Sequence, residues 1–401
     1  MLIYEYKLDG SHSQYQAIDA AIRVTQFIRN KCLRLWMDER GISKNDLQIY
    51  CALLAREYPF ANHLNSQARQ ASADRAWFAI SRFYDKCKTH KPGKKGYPRF
   101  QHDNRSVEYK QTGWKLEPDG KHIIFTDGCG LGRLRLVGNP KQKIEAFPVK
   151  QIKRVRILHR ADGYYVQLGV QAERCIIHQP TDKQIGIDIG LKAFYTDSEG
   201  STVENPRHYR KAEKRLKRLH RQLSRKQKKS NNRKKARKQL AKAYLKVARQ
   251  REDFARKQAS TLVSSHDLIA YEQLQIRNLV KNRHLAKSIY DAGWGTFLRW
   301  VRAYGLMHAI PIIAVAPQFT SQACSNCGAL VKKSLSMRTH ICTSCGVVMD
   351  RDQNAALNIL SKALERTVGH TGTSEPSCSG NASGQTASTR LSKRKMSKQA
   401  G

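Results

Sequence analysis

Residues 2–8 alternate apolar and polar side chains and predict a strand. Gly10-Ser11-His12-Ser13 breaks it and offers a serine to cap a helix. From Tyr15 to Arg40 the spacing changes to that of a helix, with Ile18, Ala21, Ile22, Phe27, Ile28, Cys32, Leu33 and Trp36 on one side. Helical patterns continue over 46–56 and 64–86, the last through Ala76, Trp77, Ile80, Phe83 and Tyr84. A basic stretch rich in glycine and proline, residues 88–100, reads as a linker. The period then falls to two. Strands are predicted at 106–110, 121–126, 132–137, 150–159 and 163–171, with Ala161-Asp162-Gly163 turning the last two into a hairpin. They form a β-barrel-like unit, which strand 2–8 is expected to join, so that helices 14–86 are an insertion between its first two strands.

A second sheet is predicted from Ile185–Ile189, 193–196, 201–203, 267–272 and 308–316, with helical residues around 286–304. Residues 207–257 read as a helical hairpin with a thin seam of Leu216, Leu219, Leu223, Leu240, Tyr244 and Val247. Asn354–Leu364 is an amphipathic helix, and 367–401 has almost no apolar content, which predicts a disordered tail.

Charge narrows the choice of partner. The 401 residues contain 73 Lys and Arg against 32 Asp and Glu, a formal net charge of +41. A polyanion is the natural counterpart, since duplex DNA carries about one negative charge per 1.7 Å of axis. The hairpin 207–257 concentrates this excess, with 23 Lys and Arg against three acids. Such a run is also compatible with a solvated face. No apolar run reaches the roughly 20 residues that span a bilayer, and the first residues are too short an apolar stretch for a signal peptide. A cytoplasmic, nucleoid-associated protein with no membrane partner is expected.

Three acids and four cysteines carry the candidate chemistry. Asp188 lies in Gly186-Ile187-Asp188-Ile189-Gly190, near the end of an apolar strand where glycine permits close approach. Glu272 ends a second apolar strand, and Asp352 stands just before the Asn354–Leu364 helix. Taken singly they read equally as a turn aspartate, a solvated strand end and a helix cap. Taken together, adjacent strands would bring Asp188 and Glu272 side by side and the helix start would deliver Asp352 to the same edge. Such hard oxygen ligands suit Mg²⁺ or Mn²⁺, and two ions roughly 3.5–4 Å apart support in-line displacement at phosphorus. Cys324-x2-Cys327-x14-Cys342-x2-Cys345 has the spacing of a four-thiolate zinc site. Four ligands close the tetrahedron, so this Zn²⁺ is structural. Between the pairs, Lys332, Lys333 and Arg338 are candidates for phosphate contact. Cys32, Cys51, Cys87, Cys129, Cys175 and Cys378 are scattered and read as small hydrophobes or incidental thiols.

In this order, GIDIG, YEQL, FTSQACSNCG, CTSCG and DRDQNAALNI resemble the motifs of the TnpB family of transposon-associated RNA-guided nucleases, relatives of the type V CRISPR effectors. The resemblance covers residues 1–365, including Gly96-Tyr97-Pro98-Arg99-Phe100. It implies an α/β multidomain protein: a wedge β-barrel at 1–10 and 100–180, a helical recognition domain with its linker at 11–99, an RNase H-like RuvC nuclease domain at 181–318 and 349–366, a zinc-binding domain at 319–348, and the tail. It implies that Asp188, Glu272 and Asp352 bind the catalytic Mg²⁺ or Mn²⁺ and that the four cysteines bind zinc. The implied partners are a guide RNA and double-stranded target DNA, with the protein a monomer on its RNA. Gln70 falls near a family position associated with reading the motif beside the target. Three other functions stay open at this stage: an RNA-guided regulator that does not cut, a nuclease or transposase independent of RNA, and a structural zinc-ribbon binder.

Overall fold

The computed structural model describes residues 1–89, 93–138, 144, 147–172, 176–334 and 337–368. Strand β1 (Leu2–Asp9) is followed by helices α1 (His12–Asp38), α2 (Lys44–Glu57), α3 (Pro59–Asn62) and α4 (Ser66–Lys88). Ser11 starts α1 with a reciprocal cap, its hydroxyl accepting from Gln14 N while the Gln14 side chain accepts from Ser11 N. Six more strands follow: β2 (Ser106–Tyr109), β3 (Trp114–Leu116), β4 (His122–Phe125), β5 (Gly132–Val137), β6 (Ile152–Arg160) and β7 (Gly163–Val170). They form one seven-stranded sheet in the order β2-β6-β7-β1-β5-β4-β3. β1 runs antiparallel to both β7 and β5, and its alternate residues Tyr4, Tyr6 and Leu8 are buried. Among the described residues no ladder joins the end strands β2 and β3. β3 is absent from the sequence expectation because three residues are too few to show a period. The 161–163 turn is as expected, with Arg160 paired to Gly163.

A single core joins this sheet to α1, α2 and α4. Cys32 and Cys51 lie within it, fully buried with sulfurs 3.8 Å apart, while Cys175 and Cys378 are outside the described residues. The end of the basic linker is pinned to the helices. Tyr97 packs against Trp36 and Phe83, and Arg29 and Asn30 donate to the carbonyls of Arg99 and Gln101.

The second half builds a five-stranded sheet from β8 (Gln184–Ile189), β9 (Ala193–Asp197), β10 (Thr202–Glu204), β11 (Leu268–Glu272) and β12 (Ile312–Val315). Helices α5 (His208–Ser224) and α6 (Asn231–Ser264) separate β10 from β11, and α7 (Ile276–Leu279), α8 (Ala286–Ala292) and α9 (Trp294–His308) separate β11 from β12. The order is β10-β9-β8-β11-β12; β8, β11 and β12 are parallel, and β9 and β10 antiparallel. His308 closes α9, so β12 begins later than the sequence pattern suggested; Ala309 turns the chain through a left-handed φ of 55°. A two-stranded ribbon of β13 (Thr339–Ile341) and β14 (Val348–Asp350) then leads into α10 (Arg351–Val368). α10 covers residues 367 and 368, assigned above to the tail; the rest of the tail is outside the described residues.

Strand alternation sorts the two faces of this sheet. Ile185, Ile187, Ile189, Ile269 and Tyr271 bury against residues of α6, α8 and α9. Leu268 and Ala270 face the other way, against Ile359 and Ala363 of α10. None of the described helices is long and apolar enough to cross a membrane.

Candidate active site and cysteine cluster

Parity and register locate the acids. Ile187 pairs with Tyr271 across the parallel β8–β11 ladder, so the next step sets Asp188 beside Glu272 at the carboxyl ends of both strands. Both residues share the parity of Gly186, Leu268 and Ala270, the face that α10 covers. Gly186 marks how close that helix lies: a Cβ there would sit 2.2 Å from the Ala356 carbonyl oxygen and 2.9 Å from Leu360 N. Asp352 is one helical turn before Ala356, which brings it over the same strand end.

Charge agrees with the proximity. Burial pushes the Asp188 carboxyl well above the ordinary aspartate range, and the negative charges of Glu272 and Asp352 push it further. Glu272 is 8% exposed, and burial raises it too, opposed by a hydrogen bond from Thr320 and by the charge of Lys362. Among the described residues the three carboxylates are not drawn within 4.8 Å of one another.

Asp352 does not cap its helix. Asp350 does, its Oδ1 accepting from the backbone N–H groups of Asp352 and Gln353 at 2.8 and 3.3 Å. The Asp352 side chain is left for other partners. Its Oδ1 accepts from Arg351 Nε and Nη2 at 3.0 and 2.8 Å, and its Oδ2 lies 3.6 Å from Arg338 Nη1. Arg338 thus reaches one of the candidate acids, a contact that sequence spacing does not show. Lys333 turns inward onto the Ser321 carbonyl and His340, while Lys332 is exposed. Gln70 is half-buried in the first turns of α4, on the other sheet's helical layer.

The four cysteine sulfurs come within 4.8 Å of one another. Cys324–Cys345 and Cys327–Cys342 are both 3.6 Å apart, near the ~3.8 Å edge of a tetrahedron built on ~2.3 Å zinc–sulfur bonds. Two knuckles of the same design hold them. Cys324 N donates to Ala329 O and Gly328 N to Cys324 O; Cys342 N donates to Val347 O and Gly346 N to Cys342 O, all at 2.9 Å. Gly328 and Gly346 take φ of 76° and 73°, a region that glycine enters without strain. The Val347 backbone N–H draws the Cys345 thiol down to about 6, and backbone N–H groups also lower Cys342. Cys327 is pushed up to about 12, its bond with the Ala329 backbone outweighed by those with the neighbouring thiols, so the thiolate a metal needs is favoured at Cys342 and Cys345.

Away from these centres, α5 and α6 enclose an open groove of about 880 Å³ lined by Lys211, Arg215, Arg218, Lys242 and Lys246. Leu216, Leu240 and Val247 are buried beneath it, so the thin apolar seam packs and the cations stay outside. Glu117, Asp119 and His122 also gather on the first sheet, where Glu117 is held by Arg133 at 2.7 and 2.9 Å.

Comparison with known proteins gives two family matches. Residues 167–283 match the OrfB_IS605 family, described as a probable transposase, and residues 294–359 match a Cas12f1-like TNB domain. A Streptomyces pristinaespiralis protein named "Putative RNA-guided DNA endonuclease" is 38% identical over 51% of this chain and 51% of its own length. "Putative RNA-guided DNA endonuclease InsQ" of Escherichia coli is 29% identical over 66% of this chain and 68% of its own. The chain therefore spans about half the length of the first relative and two-thirds of the second. Among solved structures, the mini-RNA-guided endonuclease CRISPR-Cas_phi3 superposes with a TM-score of 0.53 at 10% identity, covering 90% of this chain and 92% of that one. At that identity the likeness is one of α/β fold.

Proposed function

We propose that this chain, which belongs with the TnpB-like proteins by its family matches and relatives, is a guide-RNA-directed endonuclease that hydrolyses both strands of DNA. The observation that carries the reading is the convergence of three acids on one end of the sheet. Asp188 and Glu272 end neighbouring parallel strands, and Gly186 lets α10 close enough to add Asp352. The order β10-β9-β8-β11-β12, three antiparallel strands leading into parallel ones, supports an RNase H-like, RuvC-type nuclease domain at 181–318 and 349–366.

The residues fit divalent cations. Their donors are hard oxygens, and their mutual repulsion, felt at Asp188, is what a bound cation relieves. Bound Mg²⁺ or Mn²⁺ supplies an activated water and stabilises the leaving oxygen of the phosphodiester. Asp188 and Glu272 would hold the cations from the sheet, and Asp352 would complete the set from the helix. To ligate a cation, Asp352 would exchange its contacts with Arg351 and Arg338 for the metal. The cysteine cluster fits zinc by its sulfur spacing, and would form the zinc-binding domain at 319–348.

The remaining assignments belong to the same proposal. The sheet of 1–10 and 100–180 is a wedge domain, and 11–99 is a recognition domain inserted in it, with Gln70 near the target-adjacent motif. The groove of α5 and α6 offers phosphate contact. Base pairing by the guide supplies sequence specificity while the protein reads shape.

The test is to express the chain with its native flanking DNA, sequence the copurified RNA, and assay guided cleavage of a plasmid in Mg²⁺. One abundant RNA and guided cutting, lost in Asp188→Ala with RNA retained, is the expected result. A heterogeneous RNA mixture, or cutting by Asp188→Ala, refutes it. Guided binding without cutting by the native chain would instead identify a regulator.

A further inference from the structure

We infer that Thr320 is a positioning residue for Glu272, held in place by the cysteine cluster through α10; this rests on the acid site proposed above. Thr320 is 2% exposed, and its Oγ1 donates to Glu272 Oε1. Its other oxygen neighbour is the Pro317 carbonyl at 3.1 Å. A hydroxyl has one proton, and a carboxylate is the stronger acceptor. Engaging Oε1 fixes the torsion of a glutamate that burial alone leaves free to rotate, and it leaves Oε2 as the oxygen a cation would take. Hydrogen-bonded support of this kind orients metal-binding carboxylates generally.

What holds Thr320 is equally specific. Its carbonyl accepts from Asn358 Nδ2 at 2.8 Å, and the same amide donates to Ala323 O at 2.8 Å. Asn354, fully buried, donates to Ala323 O at 2.8 Å and accepts from Ser325 N at 3.0 Å. Both asparagines lie on α10, the helix that carries Asp352. They clamp the chain on either side of Cys324. One short segment, 320–325, is therefore bonded to Glu272 at one end, to the Asp352 helix in the middle and to the cysteine cluster at the other. The cluster sets the relative position of two acids that come from different elements.

The test measures Mn²⁺ binding by electron paramagnetic resonance on the full chain with its copurified RNA, with zinc counted by elemental analysis. Thr320→Val keeps the shape and removes the hydroxyl; Thr320→Ser keeps the hydroxyl. The expected result is Mn²⁺ affinity weakened about 10–100-fold in Thr320→Val, zinc unchanged, and Thr320→Ser near the native chain. If Thr320 acts through the glutamate, Thr320→Val in a Glu272→Gln background adds no further loss. Native Mn²⁺ affinity in Thr320→Val, a loss in Thr320→Ser as large as in Thr320→Val, or additive losses in the double variant overturns the inference. A double-mutant cycle also decides the case in which Thr320→Val sheds zinc, because a general disturbance is additive with Glu272→Gln. Guided cleavage is assayed alongside. A native chain that binds Mn²⁺ and does not cut ends the endonuclease reading and leaves the positioning role standing; one that binds no Mn²⁺ ends both.

Discussion

Asp188 is costly to the fold by itself, and the proposed site gives that cost a use. Its carboxyl is raised by burial and by the charges of Glu272 and Asp352. An acid raised in the folded state binds its proton more tightly folded than unfolded. Its contribution to stability is thus best at low pH and turns unfavourable as pH rises past the unfolded value, about 3.9. In metal-free buffer at neutral pH, Asp188→Asn should raise Tm, with a gain on the order of 1 kcal/mol, while abolishing cleavage. Adding Mg²⁺ should raise the Tm of the native chain and leave that of the variant nearly unmoved. A variant less stable than the native chain without metal would show that the acids do not repel.

Between elements, two contacts stand out, one at the site and one at the opposite end of β11. The first is β8 against α10. A methyl at Gly186 would sit 2.2 Å from the Ala356 carbonyl oxygen, which is backbone and cannot swing away. Gly186→Ala should cost about 1–3 kcal/mol and displace Asp352, lowering cleavage more than RNA binding. An unchanged Tm in thermal melts would mean that α10 does not seat on this strand. The second is the junction where the chain enters the second sheet. Asp267, just before β11, accepts from His178 Nε2 at 2.6 Å and from Thr181 N, Thr181 Oγ1 and Asp182 N at 2.8–3.0 Å. These bonds, that from His178 foremost, hold its carboxyl well below the ordinary range. A lowered acid stabilises the fold above its unfolded value and loses that contribution as pH falls toward the folded one. Asp267→Asn should therefore lower Tm at pH 7, and the gap should begin to narrow below about pH 4. A gap that stays constant with pH would remove the carboxylate from this role.

At the scale of the molecule, the +41 charge is arranged as well as abundant. The α5–α6 hairpin keeps its cations outside a seam of Leu216, Leu240 and Val247. Its inner end is tied to the first sheet by Arg249, which reaches Asp162 at 2.6 Å and Tyr165 OH at 2.7 Å. This contact joins α6 to the hairpin of β6 and β7. Replacing Arg215, Lys242 and Lys246 by Gln should weaken nucleic-acid binding and flatten its dependence on salt. The slope of log K against log salt should fall by roughly 0.9 for each duplex phosphate that the protein no longer neutralises. An unchanged slope would show a solvated face.

Much of this was legible in the sequence because local patterns report local structure. Period-two and helical spacing marked most strands and helices, and the cysteine spacing marked four sulfurs that the fold gathers within 4.8 Å. The short strand β3 and the end of α9 escaped because each is settled by neighbours: β3 by its ladder to β4, and α9 by the left-handed turn at Ala309. Sequence left Asp352 as either ligand or cap, and the fold removes the second reading by giving the cap to Asp350. Thr320, Asn354 and Asn358 carried no signal of their own, since a threonine or asparagine near a loop has many ordinary uses. Their partners lie from 29 to 48 positions away in the chain. The sequence alone determined which chemical groups this protein has and which element holds each. The tertiary structure alone decided which of them meet, because the meeting depends on strand register, on the close approach that Gly186 allows, and on hydrogen bonds between segments that no local pattern records.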